Sequence, residues 1–113
     1  MHEVGIAQGV MKIIEDETAK HGITKVSKVH VRIGELSNLV ADALSFAFET
    51  ITPGTVAEGA ELEIEIVPAK GRCEKCDIEF PIDRFNFLCP QCDGVADEVV
   101  SGRELEVAEI EGE

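Results

Sequence analysis

The chain has 113 residues, of which 44% are hydrophobic and 29% are charged, proportions typical of one compact globular domain with at most a small excursion. Its formal net charge of −13 argues against binding DNA, RNA or an anionic membrane surface, because these partners attract basic protein surfaces. The same acidity suits divalent cations or basic partner proteins, although solubility alone would also explain it.

The sequence shows no apolar run near the roughly 18 residues that a membrane helix needs. Its start, MHEVGIAQGV, lacks the basic segment of a signal peptide. We therefore expect a cytoplasmic protein. Cysteines stay reduced in that compartment and are better explained there as metal ligands than as disulfides.

Residues 1–21 show the period of an amphipathic helix. The side chains that recur at spacings of three and four are Val4, Ala7, Met11, Ile14 and Thr18. Glu3 lies in the first turn and His21 in the last, where each suits the helix dipole, and Gly22 supplies the stop.

A second helix is predicted between Gly34 and the Pro53-Gly54 pair, with Ser37 or Asn38 as its N-cap. Its apolar stripe consists of Val40, Leu44, Ala47, Phe48 and Ile51.

Three segments, 26–33, 60–67 and 103–110, alternate between apolar and polar residues as strands do. The expected inward side chains are Val29, Val31 and Ile33 in the first, Leu62, Ile64 and Ile66 in the second, and Leu105 and Val107 in the third. A slip of phase is expected at 108–110, and the tail 104–113 is expected to fray. The outward residues Lys28, His30 and Arg32 are opposite in charge to the outward glutamates of the other two strands. This predicts cross-strand ion pairs if the strands are neighbours.

The order of these elements predicts an α/β fold, a two-layer sandwich of a three-stranded sheet with two helices. A four-cysteine, zinc-ribbon-like loop is inserted before the last strand. We expect residues 1–70 and 99–113 to form one domain and residues 71–98 to form the zinc-binding domain.

The strongest motif is a pair of C-x2-C knuckles, formed by Cys73 with Cys76 and by Cys89 with Cys92. Two intervening residues let both thiolates of a knuckle point at one ion, and two knuckles complete a tetrahedron. Gly94 is expected to supply a positive φ just after the second knuckle. Phe80, Phe85 and Phe87 are expected to pack around a structural Zn²⁺, since so short a segment lacks a sufficient core.

Disulfides, iron and catalytic zinc fit the four cysteines less well. Two disulfides would need an oxidising compartment, and a rubredoxin-like iron site usually has more aromatic residues around it, whereas this chain has no Trp or Tyr. Catalytic zinc is disfavoured because four thiolates leave no open coordination position.

Met1, His2 and Glu3 offer an α-amine, an amide nitrogen, an imidazole and a carboxylate in succession. These donors can close fused chelate rings around Ni²⁺ or Cu²⁺ in tetragonal geometry. A histidine at position 2 also arises by chance, so the tripeptide alone does not establish a site. His21 at a helix end and His30 among basic strand residues are better explained as surface residues, and Glu35 and Asp42 are weaker candidate ligands.

Taken together, these motifs resemble the HypA/HybF family of hydrogenase nickel-insertion proteins. The resemblance rests on Met1-His2-Glu3 opening a helix, on the stretch 32–37 (RIGELS) followed by 46–49 (FAFE), and on the two knuckles before the last strand. It covers about residues 1–107.

The resemblance implies a metallochaperone rather than an enzyme. His2 would be the nickel ligand, with the Met1 amine and Glu3 beside it, and Cys73, Cys76, Cys89 and Cys92 would hold zinc. The implied partners are the GTPase HypB, the large-subunit precursor of [NiFe]-hydrogenase and, in some bacteria, the urease maturation proteins. Some relatives have histidines flanking the knuckles, and this sequence has none.

Two other functions compete with nickel delivery. A zinc-ribbon interaction module would have the cysteine knuckles and an incidental N-terminus. An enzyme or rubredoxin-like electron carrier is a third possibility, but the sequence shows no nucleophile–base pair and no glycine-rich phosphate loop.

Overall fold

A computed structural model describes the backbone from His2 to Glu113 and the side chains from Glu3 onward. The elements in chain order are α1 (His2–His21), β1 (Val26–Gly34), a 3-10 turn (Glu35–Ser37), α2 (Ala41–Ile51), β2 (Glu61–Val67), β3 (Lys70–Cys73), β4 (Ile78–Pro81), β5 (Glu98–Ser101) and β6 (Leu105–Gly112). The predicted fold class is confirmed, with two helices, a three-stranded sheet and an inserted four-cysteine segment. Neither helix, over the residues described, is long and apolar enough to cross a membrane.

The chain divides into two compact units. The first comprises the chain up to Arg32 together with Leu39–Glu65 and Glu106–Glu113, and the second comprises Ile33–Asn38 and Ile66–Leu105. The second unit therefore contains β3, β4, β5 and the 3-10 turn in addition to the cysteines. Which metal each unit serves stays a prediction.

The core of the first unit forms where α1 and α2 pack against each other. The predicted face of α1 is buried at Ala7, Met11, Ile14 and Thr18, and the Thr18 hydroxyl donates a hydrogen bond to the Ile14 carbonyl at 2.7 Å. This bond satisfies a polar group that burial would otherwise leave costly.

Helix α2 buries Leu44, Ala47 and Phe48 as predicted, but its start differs from the prediction. Val40 is the N-cap, with no side-chain cap of its own, and it is 59% exposed. Neither Ser37 nor Asn38 caps the helix, because both lie in or just after the 3-10 turn. The Glu3 carboxylate of α1 instead accepts the Val40 N–H at 3.4 Å.

The first sheet has the strand order β2-β1-β6. Lys28 near the start of β1 pairs with Glu61 at the start of β2, and Arg32 near the end of β1 pairs with Glu65 towards the end of β2. The residue numbers of the partners rise together, so β1 and β2 are parallel. Helix α2 is then the crossover of a βαβ unit.

Strand β6 runs antiparallel to β1. The Gly34 N–H donates to the Glu104 carbonyl, whereas the Lys25 N–H donates to the carbonyl of Glu113. The Thr24 N–H bonds the same Glu113 oxygen, so the expectation that the tail frays was wrong. Pairing with a neighbouring strand fixes a segment whose glutamate-rich composition alone suggests disorder.

The predicted cross-strand ion pairs are confirmed. Lys28 lies 3.1 Å from Glu63, His30 contacts Glu63 and Glu65 at 2.8 and 2.9 Å, and Arg32 lies 2.8 Å from Glu106. Arg32 thus lies between acidic residues of both neighbouring strands, whereas Lys28 and His30 form their ion pairs with β2. His30 is an ion-paired surface residue, as expected.

Two side chains predicted to face inward are exposed, Leu105 by 58% and Ile66 by 46%. In β2 the alternation slips at the end of the strand, where Val67 is buried instead. In β6 the half-buried residues are Val107 and Ile110, three apart, which agrees with the predicted slip of phase.

The second unit has its own antiparallel sheet with the order β4-β3-β5, which the sequence did not predict. Its buried cluster consists of Ala69, Cys73, Phe80, Ile82 and Cys89. Two of these five residues are cysteines, so the core and the candidate metal centre are the same structure.

The backbones of Gly34 and Gly102 approach each other closely. A Cβ on Gly34 would lie 2.0 Å from the carbonyl carbon and oxygen of Gly102, so no side chain fits there. Gly102 itself has a φ of 114°, a conformation that residues with side chains rarely adopt.

We predict that Gly34→Ala destabilises the protein by about 1–3 kcal/mol or more, because the added methyl group meets backbone atoms that cannot rotate away. The control is Gly9→Ala on α1, where a Cβ meets nothing within 4 Å. That change should stabilise the helix by about 0.5–1 kcal/mol. Urea unfolding of both variants measures the difference, and a neutral Gly34→Ala would contradict the close approach.

We also predict that the stability contributed by His30 depends on pH. Hydrogen bonds with Glu65 and Glu63 raise the pKa of His30 above its ordinary value of 6.5. The stabilisation is therefore complete below pH 6.5 and is lost as the pH rises through the higher folded-state pKa. Hydrogen bonds with His30 lower the pKa values of Glu63 and Glu65, so their contribution is lost only as the pH falls below about 4.5.

His30→Gln should accordingly reduce the unfolding free energy more at pH 5.5 than at pH 9, measured by urea unfolding at both values. The control is Lys28→Gln. Lys28 is the preceding outward residue of the same strand and also pairs with Glu63, but it stays charged throughout this pH range. An equal effect of His30→Gln at both pH values would refute the assignment.

Candidate metal centre

Two turns bring the four cysteines together. Cys73 ends β3 and Cys76 lies in the turn before β4, while Cys89 and Cys92 lie in the segment between β4 and β5. All four Sγ atoms lie within 4.8 Å of one another, and those of Cys73 and Cys92 are 3.7 Å apart. In a tetrahedral site with Zn–S bonds of about 2.3 Å, neighbouring sulfurs are about 3.8 Å apart. The cluster therefore has the spacing of four ligands around one tetrahedral ion.

Each knuckle is followed by an aspartate in the left-handed conformation, Asp77 with a φ of 55° and Asp93 with a φ of 58°. Asp is one of the few residues with a side chain that tolerates this region. The expectation that Gly94 supplies the positive φ was wrong, since Asp93 supplies it. Gly94 instead donates its N–H to the Cys92 sulfur at 3.4 Å.

A Cβ on Gly94 would lie 3.2 Å from the Cys92 sulfur, so the glycine permits close approach rather than an unusual φ. The Cys89 N–H donates to the Gly94 carbonyl at 2.8 Å, and the Asp93 N–H donates to the Cys89 carbonyl at 2.9 Å. These bonds close the second knuckle.

The phenylalanines of the loop have different environments. Phe80 is buried in the cluster and Phe87 packs against it, as predicted. Phe85 is 88% exposed, so the expectation that it packs around the knuckles was wrong. It lies at the tip of a short turn between Asp83 and Asn86 and is not among the residues packed against the cluster.

The thiols have unequal acidities. Burial raises the pKa of Cys89, but hydrogen bonds from the Cys92 and Gln91 backbone outweigh burial and bring it to about 7. Burial and the neighbouring thiols raise the pKa of Cys76 to about 12. Four sulfurs this close favour thiolates only beside a cation, so the donor set fits a divalent, thiophilic metal ion such as zinc.

Polar residues around the first knuckle were not predicted. The Glu74 N–H donates to the Asp97 carboxylate at 2.7 Å, and Arg72 forms an ion pair with Asp77. Glu98 lies at 4.0 Å from the same arginine. A single sequence gives no signal for these contacts, because they join residues that are up to 26 positions apart in a chain rich in carboxylates.

The other predicted metal site is the N-terminal tripeptide. The predictions for Met1 and for the His2 side chain fall outside the described residues. Glu3 is half-buried, and its carboxylate accepts the Val40 N–H at the start of α2. It also lines a cavity of about 340 Å³ whose other walls include Val4, Phe46 and Ile51.

Among the residues whose side chains are described, the remaining candidates do not join a cluster. The described residues contain no second group of three or more potential His, Cys, Asp or Glu ligands. The Glu35 carboxylate accepts the Ala69 N–H at 2.8 Å, and His21 lies 3.6 Å from Glu17 one turn earlier on α1. Asp42 is exposed in the first turn of α2.

Comparison with known proteins gives one family. The family described as "Hydrogenase/urease nickel incorporation, metallochaperone, hypA" has a sequence model that matches residues 1–112. A "Hydrogenase maturation factor HypA" of Roseiflexus sp. (strain RS-1) is 45% identical, with 100% of this chain and 93% of the relative covered. A protein of the same name from Desulfitobacterium hafniense (strain DSM 10664 / DCB-2) is 42% identical, with 100% and 99% covered.

Two solved structures share the fold. The solution structure of "the Ni metallochaperone HypA from Helicobacter pylori" matches with a TM-score of 0.69 at 24% identity, covering 97% of this chain and 96% of that one. The "Solution structure of HypA protein" matches with a TM-score of 0.73 at 24% identity, covering 99% and 96%.

We predict that Cys76→Ala disorders the second unit and leaves the first unit folded, because it removes one of the four clustered thiols while the helix core contains no cysteine. In a ¹H–¹⁵N correlation spectrum, amides of residues 70–101 should lose dispersion and those of α1 should keep it. Phe85→Ala, at an 88% exposed position of the same segment, is the control and should change neither region. Loss of both units in Cys76→Ala would contradict their independence.

Proposed function

Because the chain belongs to the HypA family of hydrogenase/urease nickel-incorporation metallochaperones, we propose that it binds Ni²⁺ at its N-terminus and delivers it to the precursor of a [NiFe]-hydrogenase large subunit. The family consists of metallochaperones and maturation factors, and the chain is not an enzyme. The observation that carries the proposal is the match over residues 1–112, which includes the potential nickel-binding tripeptide.

In this proposal nickel is the cargo, and its ligands are the Met1 α-amine, the His2 imidazole and amide, and Glu3. Nitrogen donors in a plane suit Ni²⁺. An amine and an imidazole also compete with protons near neutral pH, so the site can release its ion to an acceptor. The contact between the Glu3 carboxylate and Val40 supports a site held against the start of α2.

Zinc is the proposed resident ion of the four-cysteine cluster, with Cys73, Cys76, Cys89 and Cys92 as ligands. When bound, it would supply a crosslink between the two knuckles and neutralise part of their thiolate charge. The Sγ spacing within 4.8 Å and the amide donors to the Cys89 and Cys92 sulfurs support this assignment. Four sulfur ligands leave no position for a substrate, so the site is structural.

The two metals are thereby divided between two parts of the chain. We assign nickel to the part formed by residues 1–70 and 99–113, and zinc to residues 71–98. Thiolates hold soft and borderline ions tightly, whereas the N-terminal nitrogen site holds nickel reversibly. Keeping the thiolates away from the cargo prevents it from being trapped.

The proposed partners are the GTPase HypB and the hydrogenase precursor, with the urease maturation proteins as further acceptors in some organisms. Four reduced cysteines support the cytoplasm as the compartment of these encounters, because thiols stay reduced there. The net charge of −13 suits partners with basic surfaces.

We predict that the native, tag-free and zinc-loaded chain binds about one nickel ion and that His2→Ala binds none, measured by isothermal titration calorimetry. An N-terminal tag left in place should likewise abolish nickel binding, because it converts the α-amine to an amide, while the zinc content stays unchanged.

The matched control is His21→Ala, since His21 is the exposed histidine at the other end of the same helix. It should bind nickel like the native chain. If the native chain and His2→Ala bind alike, or neither binds nickel, the nickel proposal fails. A zinc-ribbon interaction module then takes its place.

A further inference from the structure

A cleft in the second unit is lined by two arginines and by no acidic residue, although the chain as a whole is strongly acidic. Its volume is about 440 Å³, and its lining consists of Leu36, Ser37, Arg84, Phe87 and Arg103. All five residues belong to one compact unit, in which the turn after β1 meets the loop after β4 and the loop before β6. Two arginines thus border a floor made of one leucine and one phenylalanine.

Neither arginine of the cleft is neutralised. Across the residues that the structure describes, Arg84 and Arg103 form no ion pair, although the chain contains 23 acidic residues. Arg32 and Arg72, by contrast, each contact two carboxylates. The cleft arginines therefore keep donors available for a group from outside.

The acidic residues nearest in sequence to the cleft bind backbone amides instead. Asp83 accepts the Phe85 N–H at 2.7 Å, Glu104 accepts the Gly102 N–H at 2.8 Å, and Glu35 accepts the Ala69 N–H at 2.8 Å. These bonds hold three carboxylates in the loops that shape the cleft. None of these three carboxylates forms an ion pair with Arg84 or Arg103 in the part of the chain that the structure describes.

Arg84 is held in place before any ligand arrives. Its Nη1 donates to the Asn38 side-chain oxygen at 2.7 Å, and its guanidinium lies 5.3 Å from the centre of the Phe85 ring. A guanidinium has five N–H donors, so one hydrogen bond leaves most of them free. Orientation of this kind lowers the entropy lost when an external carboxylate binds.

From this arrangement we propose that the cleft is a docking surface for an acidic peptide segment of a partner protein, one in which carboxylate side chains flank a leucine or phenylalanine. The carboxylates would bind Arg84 and Arg103 in the forked geometry that guanidinium groups favour. The apolar side chain would lie on Leu36 and Phe87. The ring of Phe85, which is 88% exposed, lies beside the guanidinium of Arg84. Exposed aromatic and arginine side chains are the residues enriched at protein interfaces.

Charge and lining favour a peptide over a nucleotide. A polyphosphate would be repelled by a chain with a net charge of −13, whereas a peptide with one or two carboxylates is repelled less. The apolar floor of Leu36 and Phe87 also favours burial of an apolar side chain, which a free phosphate does not have. None of the five lining residues is a proposed nickel or zinc ligand, so the proposal does not depend on the proposed function.

The test uses zinc-loaded, full-length protein and a fluorescein-labelled, N-acetylated peptide, Gly-Ser-Glu-Phe-Glu-Leu-Gly-amide. A matched peptide has Gln for both Glu residues, and a second has Ser for both apolar residues. Fluorescence anisotropy gives the affinities, and ¹H–¹⁵N spectra locate binding through the Arg84 and Arg103 side-chain signals. Both substituted peptides should bind at least about tenfold more weakly than the parent.

Arg84→Gln and Arg103→Gln should each weaken binding of the parent peptide by about tenfold or more. The control is Lys25→Gln, which removes the same charge at an exposed position that lies outside the cleft and has no ion pair in the described chain. It should bind like the native protein, and each variant should retain the native dispersion of its spectrum.

Equal binding of the Glu and Gln peptides would overturn the proposal, as would unchanged affinity in a folded Arg84→Gln, Arg103→Gln double variant. Absence of peptide binding would do the same. If ADP instead shifts the two arginine signals while the peptides do not, the cleft is an anion or nucleotide site and not a docking surface for peptides.

Discussion

Four sulfur atoms within 4.8 Å of one another are the contact on which the second unit depends. Its buried cluster has only five residues, and two of them are Cys73 and Cys89. So small a core does not normally support a fold without a crosslink or a metal. Without a cation, the pKa of Cys76 near 12 would leave that thiol protonated. Binding of the proposed zinc is therefore part of the folding free energy of this unit.

The same constraint organises the residues around the cluster. Left-handed aspartates follow both knuckles, and a glycine allows the backbone to approach the Cys92 sulfur. The first knuckle is held by two contacts. The Asp97 carboxylate accepts the Glu74 N–H, and Arg72 forms an ion pair with Asp77. Cysteines that are restrained on several sides would retain a bound metal ion, which is suitable for a structural ion but not for a cargo.

A cargo ion needs the opposite properties, which the proposed N-terminal nickel ligands would supply. Amine and imidazole nitrogens compete with protons, so the proposed nickel ligands would release their ion to an acceptor. The proposed nickel and zinc ligands belong to different compact units of the chain. The proposed chaperone thus protects its cargo from thiolates by using them all for a different ion.

Much of this organisation follows from local sequence patterns. The face of α1 from Ala7 to Thr18 and the pairing of Lys28, His30 and Arg32 with glutamates were predictable, because period and charge are local properties. The Cys73–Cys92 cluster was predictable because knuckle spacing reflects ligand geometry.

What the sequence did not predict depends on contacts between distant residues. The Val40 N–H donates to the Glu3 carboxylate on another helix, so no local capping motif marks the start of α2. The short strands β3, β4 and β5 contain too few residues to show alternation. Phe85 is exposed because its own turn directs it outward, whereas composition alone suggested that it packs around the metal.

The most direct test of the separation between the two sites is X-ray absorption at both metal edges, on tag-free protein loaded with one zinc and one nickel ion. We expect four sulfur neighbours at about 2.3 Å around zinc and only nitrogen and oxygen neighbours around nickel. Sulfur in the nickel shell would show that the cargo enters the cysteine cluster, and the proposed division of metals between the two sites would then be wrong.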